Sequence, residues 1–340
     1  MNRRFTLVLM VIGLGVLASM VMHLGVGAIL ANVDKVKWWF VPIVGIWGIV
    51  YACNAWAIYI LIGQKHEGLT FVSVLLATVS SFAINYITPF LNLGGEPYRA
   101  AVLKPIIGGH RAVSAVVSYN IVRMMGHCVF WLCAGVIAIV WVPMSPTALL
   151  LLSILLFGIL GLFLAFAMMQ KHGFLERIWM RFARFFSVGK RRTWFEAKAM
   201  ALHDIDARMK IIYSENPKAF KKAIAVETVS RLIATFEFVF IMEGIWGHPS
   251  YRDALLLNGA SSLVLNMLFF IPFELGTREG SLILTLHLIG YQAELGIFIG
   301  LINRARELVW ILIGLALMPF GPERAGGAKR ISLREVEEHS

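Results

Sequence analysis

The stretch Asn85-Tyr-Ile-Thr-Pro89-Phe-Leu-Asn92-Leu-Gly94-Gly95-Glu96-Pro-Tyr-Arg99 constrains this chain more than any other. It interrupts an apolar run that begins at Thr70 and is otherwise suited to a helix. Proline and paired glycine free backbone groups that hydrocarbon cannot satisfy, so such a break survives at membrane depth only inside protein or beside a wet cavity. A broken helix that also carries Glu96 and Arg99 is the usual physical form of a substrate site within a membrane. The competing reading is an ordinary kink or a loop at the membrane surface.

The stretch has an echo in Ile271-Pro272-Phe273-Glu274-Leu275-Gly276-Thr277-Arg278-Glu279-Gly280. The differences 272 − 89 and 279 − 96 both equal 183, and the same offset carries Asn120 and Arg123 onto Asn303 and Arg306. Each half therefore reads Pro-Phe, a glycine-containing break, Glu, then Asn-x-x-Arg in the next long apolar helix. Paired broken segments in corresponding halves point to a transporter-type site between repeats. The structural breaks are expected at Pro89, Gly94, Gly95, Pro272 and Gly276, with Gly94 and Gly95 needed for positive φ or close backbone approach.

A hydrophobic content of 59% with only 15% charged residues excludes an ordinary water-soluble globule. The expected fold is an all-α polytopic membrane protein with about six full spans plus two broken or re-entrant helical hairpins, eight to nine apolar segments in an inverted repeat. The net charge of +11 falls between apolar runs, which reads as topology information and attraction to anionic headgroups rather than nucleic-acid binding. Cys53, Cys128 and Cys133 lie inside apolar runs without metal-ligand spacing.

In chain order, Arg3 and Arg4 place the N-terminus in the cytoplasm ahead of a retained first span, Phe5 to Leu30. A second span runs from Trp38 to Ile62. Lys104, His110 and Arg111 then favour a hairpin re-entering from the cytoplasm, with a full crossing as the alternative. Val113 to Val142 and Leu149 to Met169 are further spans. The basic segment 171–222 stays cytoplasmic, and its aromatic residues at helical spacing suit an amphipathic helix on the anionic inner leaflet. Ala223 to Trp246, Ala254 to Ile271, a short helix Ser281 to Ile289 and a last run ending near Pro319 complete the set. A single membrane domain, 1–320, thus contains halves of about 1–169 and 223–320 joined by 170–222, and 321–340 forms a flexible cytoplasmic tail.

The charged residues in the spans are the candidate substrate-binding groups: Asn85, Glu96, Arg99, Arg123, Arg231, Glu237, Arg278, Glu279, Arg304 and Arg306. Arg123 and His127 share a helix face, with His127 read as a hydrogen-bonded core residue. Glu227 and Arg231 are spaced for an ion pair, and Glu227 lies near enough to the cytoplasmic entry to be interfacial. Arg123 and Arg306 are expected to neutralise Glu96 and Glu279, within a half or across halves.

Asn85-x-x-Thr-Pro89 with Gly94-Gly95-Glu96-x-x-Arg99, the later Pro272-x-x-x-Gly276-x-x-Glu279-Gly280 and the arginines of the last span resemble the integral-membrane domain of lysylphosphatidylglycerol synthases and their flippase-like relatives. The resemblance covers roughly Phe5 to Pro319. It implies a multi-pass protein of a bacterial or archaeal cytoplasmic membrane that moves a lipid with a modified head: an aminoacyl-phospholipid, a polyprenyl-linked glycan or a hopanoid-type lipid. A membrane phospholipid or glycolipid would be its substrate, and a lipid-synthesising enzyme its partner. The chain after Pro319 is too short for an aminoacyl-transferase domain, so synthase activity is not expected to carry over. Asn92 stands near where many relatives have a basic residue, which leaves the headgroup open.

Arginine suits such a task because it binds phosphate bidentately, whereas an unpaired charge at the bilayer centre costs at least about 2.5–3.5 kcal/mol. A lipid-modifying membrane enzyme with glutamate as general base is the alternative, but no catalytic constellation, metal motif or nucleotide-binding loop accompanies it, and no cofactor is expected. A non-transporting membrane organiser is the third reading.

Overall fold

The computed structural model describes residues 34–63, 69–87, 94–172, 216–268 and 276–320, with isolated positions besides. The expected first span, the residues Pro89, Asn92 and Pro272, most of 171–222 and the tail lie outside the described residues. Among the described residues there are nine α-helices and no strand: α1 Phe40–Ile62, α2 Phe71–Ile87, α3 Gly95–Ile107, α4 Gly109–Trp141, α5 Pro146–His172, α6 Pro217–Trp246, α7 Tyr251–Met267, α8 Thr277–Leu288 and α9 Leu295–Leu317.

Local chemistry sets the helix ends. Asn216 accepts from the Ala219 backbone N–H at 2.9 Å, with Pro217 in the first helical position of α6, where its missing donor costs nothing. Ser250 accepts from the Asp253 N–H at 3.3 Å to start α7. Gly276 precedes α8 with φ +76, a conformation that side chains resist, and its N–H donates to Glu279 Oε2 at 3.0 Å. Gly94 instead has an ordinary φ of −69, so positive φ is not what that break requires. Close approach is the requirement at Gly95: an added Cβ would overlap the Ser81 carbonyl and lie 2.7 Å from Asn85 Oδ1.

Displaced by 183 residues, α1 to α4 begin within six residues of α6 to α9, while α5 has no counterpart among the described residues. Packing follows the same exchange. α1 lies along α6 in the most extensive helix contact, α2 packs on α9 as α4 packs on α7, and the pairs α2–α3 and α7–α8 form matching hairpins. The helices α2, α3, α7 and α8 have 17, 13, 17 and 12 residues, so α3 and α8 fall short of the about 17–25 a full span takes and α2 and α7 sit at its lower limit. The segments 34–62, 109–141 and 146–168 are long and apolar enough to cross. α6 and α9, with 30 and 23 residues, have the length but carry ion pairs.

Two apolar cores occupy opposite ends of the α1–α6 pair. One gathers Ala55, Ile58, Val74, Leu103, Tyr119 and Ala223. The other gathers Ile43, Phe238, Ile241, Leu257, Leu286 and Ile302. At the offset of 183, Ala55, Ile58, Val74, Leu103 and Tyr119 correspond to Phe238, Ile241, Leu257, Leu286 and Ile302, so the same frame is packed twice. Burying these side chains contributes about 1.5–3 kcal/mol for each large one when water is the reference. In lipid the gain comes chiefly from close packing. Between the cores, in the middle of α1 and α6, lies a polar layer.

Candidate functional site

The polar layer begins with the antiparallel crossing of α1 and α6. Trp47 Nε1 donates to Glu237 Oε2 at 2.7 Å, and seven residues further along α1 the Asn54 amide donates to both oxygens of Glu227, at 2.9 and 3.1 Å. Asn54 Nδ2 also reaches Ser230 Oγ at 3.4 Å. The offset of 183 turns Trp47 into Ser230 and Asn54 into Glu237, so these two contacts are one contact made twice. From this crossing the layer divides into two charge clusters.

The cluster on the side of α8 and α9 is tightly bonded. Arg306 forks onto Glu237, Nε to Oε1 at 3.0 Å and Nη2 to Oε2 at 3.2 Å. The Trp47 ring lies against the same guanidinium, 3.8 Å from its centroid. With its amide nitrogen turned inward, Asn303 adds a bond to Glu237 Oε1 at 3.2 Å. Glu307 accepts from Arg278 Nη1 at 2.6 Å and lies 3.6 Å from Arg306 Nη2. Tyr86 brings α2 in, its hydroxyl 3.4 Å from Arg278 Nη2. Glu279, besides capping Gly276, holds Arg304 at 2.9 Å. Three arginines meet three glutamates, and Glu237, Arg304, Arg306 and Glu307 are all at most 3% exposed.

The cluster on the side of α3 and α4 is looser. Glu96, in the first turn of α3, lies 3.6 Å from Arg99 Nη1 and 4.0 Å from Arg123 Nη2, longer than hydrogen bonds. Arg231 Nη2 is 3.8 Å from Glu227 Oε2. Arg99 also rests over the Tyr119 ring, 5.1 Å from its centroid. Arg99 Nε and Nη1, Arg231 Nε and Glu96 Oε2 are buried and make no hydrogen bond among the described residues. Three arginines here meet two glutamates, Glu96 and Glu227. The Arg123 side chain is 42% exposed, whereas that of Arg306 is 3% exposed.

All ten candidate groups from the sequence lie in or beside this layer, but in unequal roles. Asn85 accepts the Gly95 N–H at 2.6 Å, holding the α2–α3 hairpin together across its break. Arg123 does face Glu96, whereas Glu279 pairs with Arg304 and Arg306 turns to Glu237 and Glu307. Glu227 is fully buried and bound by Asn54, not interfacial. His127 packs on Trp131, ring centroids 5.2 Å apart, and its Nδ1 makes no hydrogen bond, so it is buried without the full bonding expected of a core histidine.

Sequence reasoning did not single out Trp47, Asn54, Tyr86 or Glu307 as site residues. The offset of 183 pointed to Asn54, the counterpart of Glu237. Trp47 and Tyr86 gave no such signal, since an indole and a phenol in apolar runs are ordinary membrane residues. Among the described residues no three His, Cys, Asp or Glu side chains are grouped as metal ligands.

No curated protein and no solved structure matches the chain. A model of the family described as "Lysylphosphatidylglycerol synthase TM region" matches residues 6–315. That match covers most of a chain whose described residues are all-helical, and the chain is a multi-pass membrane protein belonging to the lysylphosphatidylglycerol synthase transmembrane-region family.

Proposed function

We propose that this protein carries a lipid with a charged or modified polar head between the leaflets of a bacterial or archaeal cytoplasmic membrane. The observation that carries the reading is the buried polar layer in the middle of α1 and α6, bordered by two hairpins that each contain one helix too short to span, α3 and α8. A headgroup crossing hydrocarbon needs a polar path while its acyl chains stay in lipid, and buried arginines and glutamates between apolar cores supply one. An aminoacyl-phospholipid is the substrate class that the family's description favours. The two halves act as an inverted repeat, the hairpins at α2–α3 and α7–α8 opening alternately around the layer.

Reconstitution tests the reading directly. Purified protein in liposomes is expected to speed the movement of a headgroup-labelled aminoacyl-phosphatidylglycerol between leaflets, and Arg123→Met is expected to remove that acceleration. A chemically altered lipid product, with no movement, would instead favour an enzyme. For orientation, both termini and 171–222 face the cytoplasm in this reading. Single cysteines placed at Lys190 and Ser340, with Cys53, Cys128 and Cys133 replaced, should resist impermeant reagents outside intact cells; labelling of either reverses the topology.

A further inference from the structure

The two charge clusters occupy equivalent places in the repeated frame, yet at the offset of 183 their charged positions differ. Where the second cluster has Glu237 and Glu307, the first has Asn54 and Met124; where the second has Arg278 and Arg304, the first has Gly95 and Ile121; and where the second has Leu282, fully buried, the first has Arg99. The first four differences cancel in charge, two glutamates against two arginines, and Arg99 adds one positive charge to the first cluster. Arg231, supplied across the crossing from α6, brings a third cation, and Glu227 only a second anion. The first cluster is left with one more arginine than glutamate, and Arg99 is 4% exposed with Nε and Nη1 unbonded among the described residues. A buried guanidinium with idle donors is costly unless something else accepts from it.

We propose that Arg99, Arg123 and Arg231 form an anion-binding subsite that takes a phosphate group, while the second cluster is a closed structural lock. The charges fit: Arg99 and Arg123 both approach Glu96, and Tyr119 lies within electrostatic reach of all three arginines. Phosphate accepts through several oxygens at once, and guanidinium forks match it better than ammonium groups do. Access is through Arg123, the half-exposed member of the trio, whereas its equivalent Arg306 is covered and already held bidentately. On entry the anion displaces Glu96 from its long contacts and balances the surplus cation. The inference rests on the lipid-moving reading above for its substrate, since phosphate is the group most membrane lipid heads share. The subsite itself can be tested without transport.

The test uses the purified full-length protein and its melting temperature. Probes are dihexanoyl phosphatidic acid, glycerol 3-phosphate, inorganic phosphate and uncharged dihexanoylglycerol. Phosphatidic acid at about ten times its dissociation constant should raise the wild-type melting temperature by about 3 °C, and dihexanoylglycerol should not. A comparable shift with glycerol 3-phosphate or inorganic phosphate identifies a soluble source, and a shift confined to phosphatidic acid identifies a lipid source; either supports the subsite. The decisive variant is Arg99→Leu, which copies Leu282 and makes the first cluster neutral. It should melt no lower than wild type without ligand and lose the phosphate-dependent shift, whereas Lys104→Met, exposed on the same helix, should keep it. An equal shift in Arg99→Leu, or no shift with any phosphate probe in the wild type, overturns the proposal. Lipid movement without a phosphate-dependent shift removes the subsite alone; a shift without lipid movement keeps the subsite and removes the transport reading.

Discussion

The two charge clusters share a frame but not a condition. In the second, each arginine has a glutamate oxygen within 3.0 Å, and Trp47 and Asn303 each add a further bond to an oxygen of Glu237. In the first, the arginine–glutamate distances run from 3.6 to 4.0 Å and several buried donors make no bond among the described residues, whereas in the second the acceptor Glu307 Oε2 is the glutamate oxygen left without one. The α1–α6 crossing and the hairpins recur around both, but α4 packs on α1 and α6 more extensively than its counterpart α9 does, and α5 packs on α4. The difference therefore comes from helix packing as well as from side chains. Two clusters built on corresponding helices can therefore differ in how completely their charges are paired.

The hardest blow to that contrast would come from the second cluster. Glu237→Gln or Arg306→Met should each destabilise the protein by about 3–5 kcal/mol, because either leaves a buried charge without its partner. Thermal unfolding of the purified variants measures this. The double variant Glu237→Leu with Arg306→Met should regain most of the loss, and single variants melting like wild type would show that the cluster is not a lock.

The breaks offer the next comparison. Gly95→Ala should cost about 3 kcal/mol, since the new methyl would push α3 away from Ser81 and Asn85. Gly276→Ala meets no neighbour and carries only the strain of its positive φ, about 1–2 kcal/mol. Gly276→Asn should be milder still. Equal melting temperatures for the two alanine variants would mean that hairpin contact is not what Gly95 provides.

A smaller effect is expected at the shared crossing. Asn54→Leu removes the amide that satisfies both Glu227 oxygens, at a cost of about 1–3 kcal/mol. Trp47→Phe keeps a ring against Arg306 and loses one bond to Glu237, so it should cost less, and denaturant titration can rank the two. The smallest change is expected at Glu96→Gln, because its arginines stand beyond hydrogen-bond distance. A loss for Glu96→Gln as large as that for Glu237→Gln would erase the distinction between the clusters.

The amino-acid sequence by itself determined the class and the frame. Long apolar runs exclude a soluble globule, and the repeated Pro-Phe, Glu and Asn-x-x-Arg spacing of 183 locates two equivalent breaks and the arginines Arg123 and Arg306. These features are legible because helix periodicity, proline and glycine act over a few neighbouring residues. Only the tertiary structure decided which charges meet. Glu237 finds Arg306 69 residues away, and Asn54 finds Glu227 173 residues away, through an antiparallel crossing of α1 and α6 that no local pattern specifies. Among the described residues six buried or half-buried arginines are chemically alike. Their separation into a closely paired set and a loosely paired set depends on distances of about an ångström between helices remote in the chain, which tertiary packing sets.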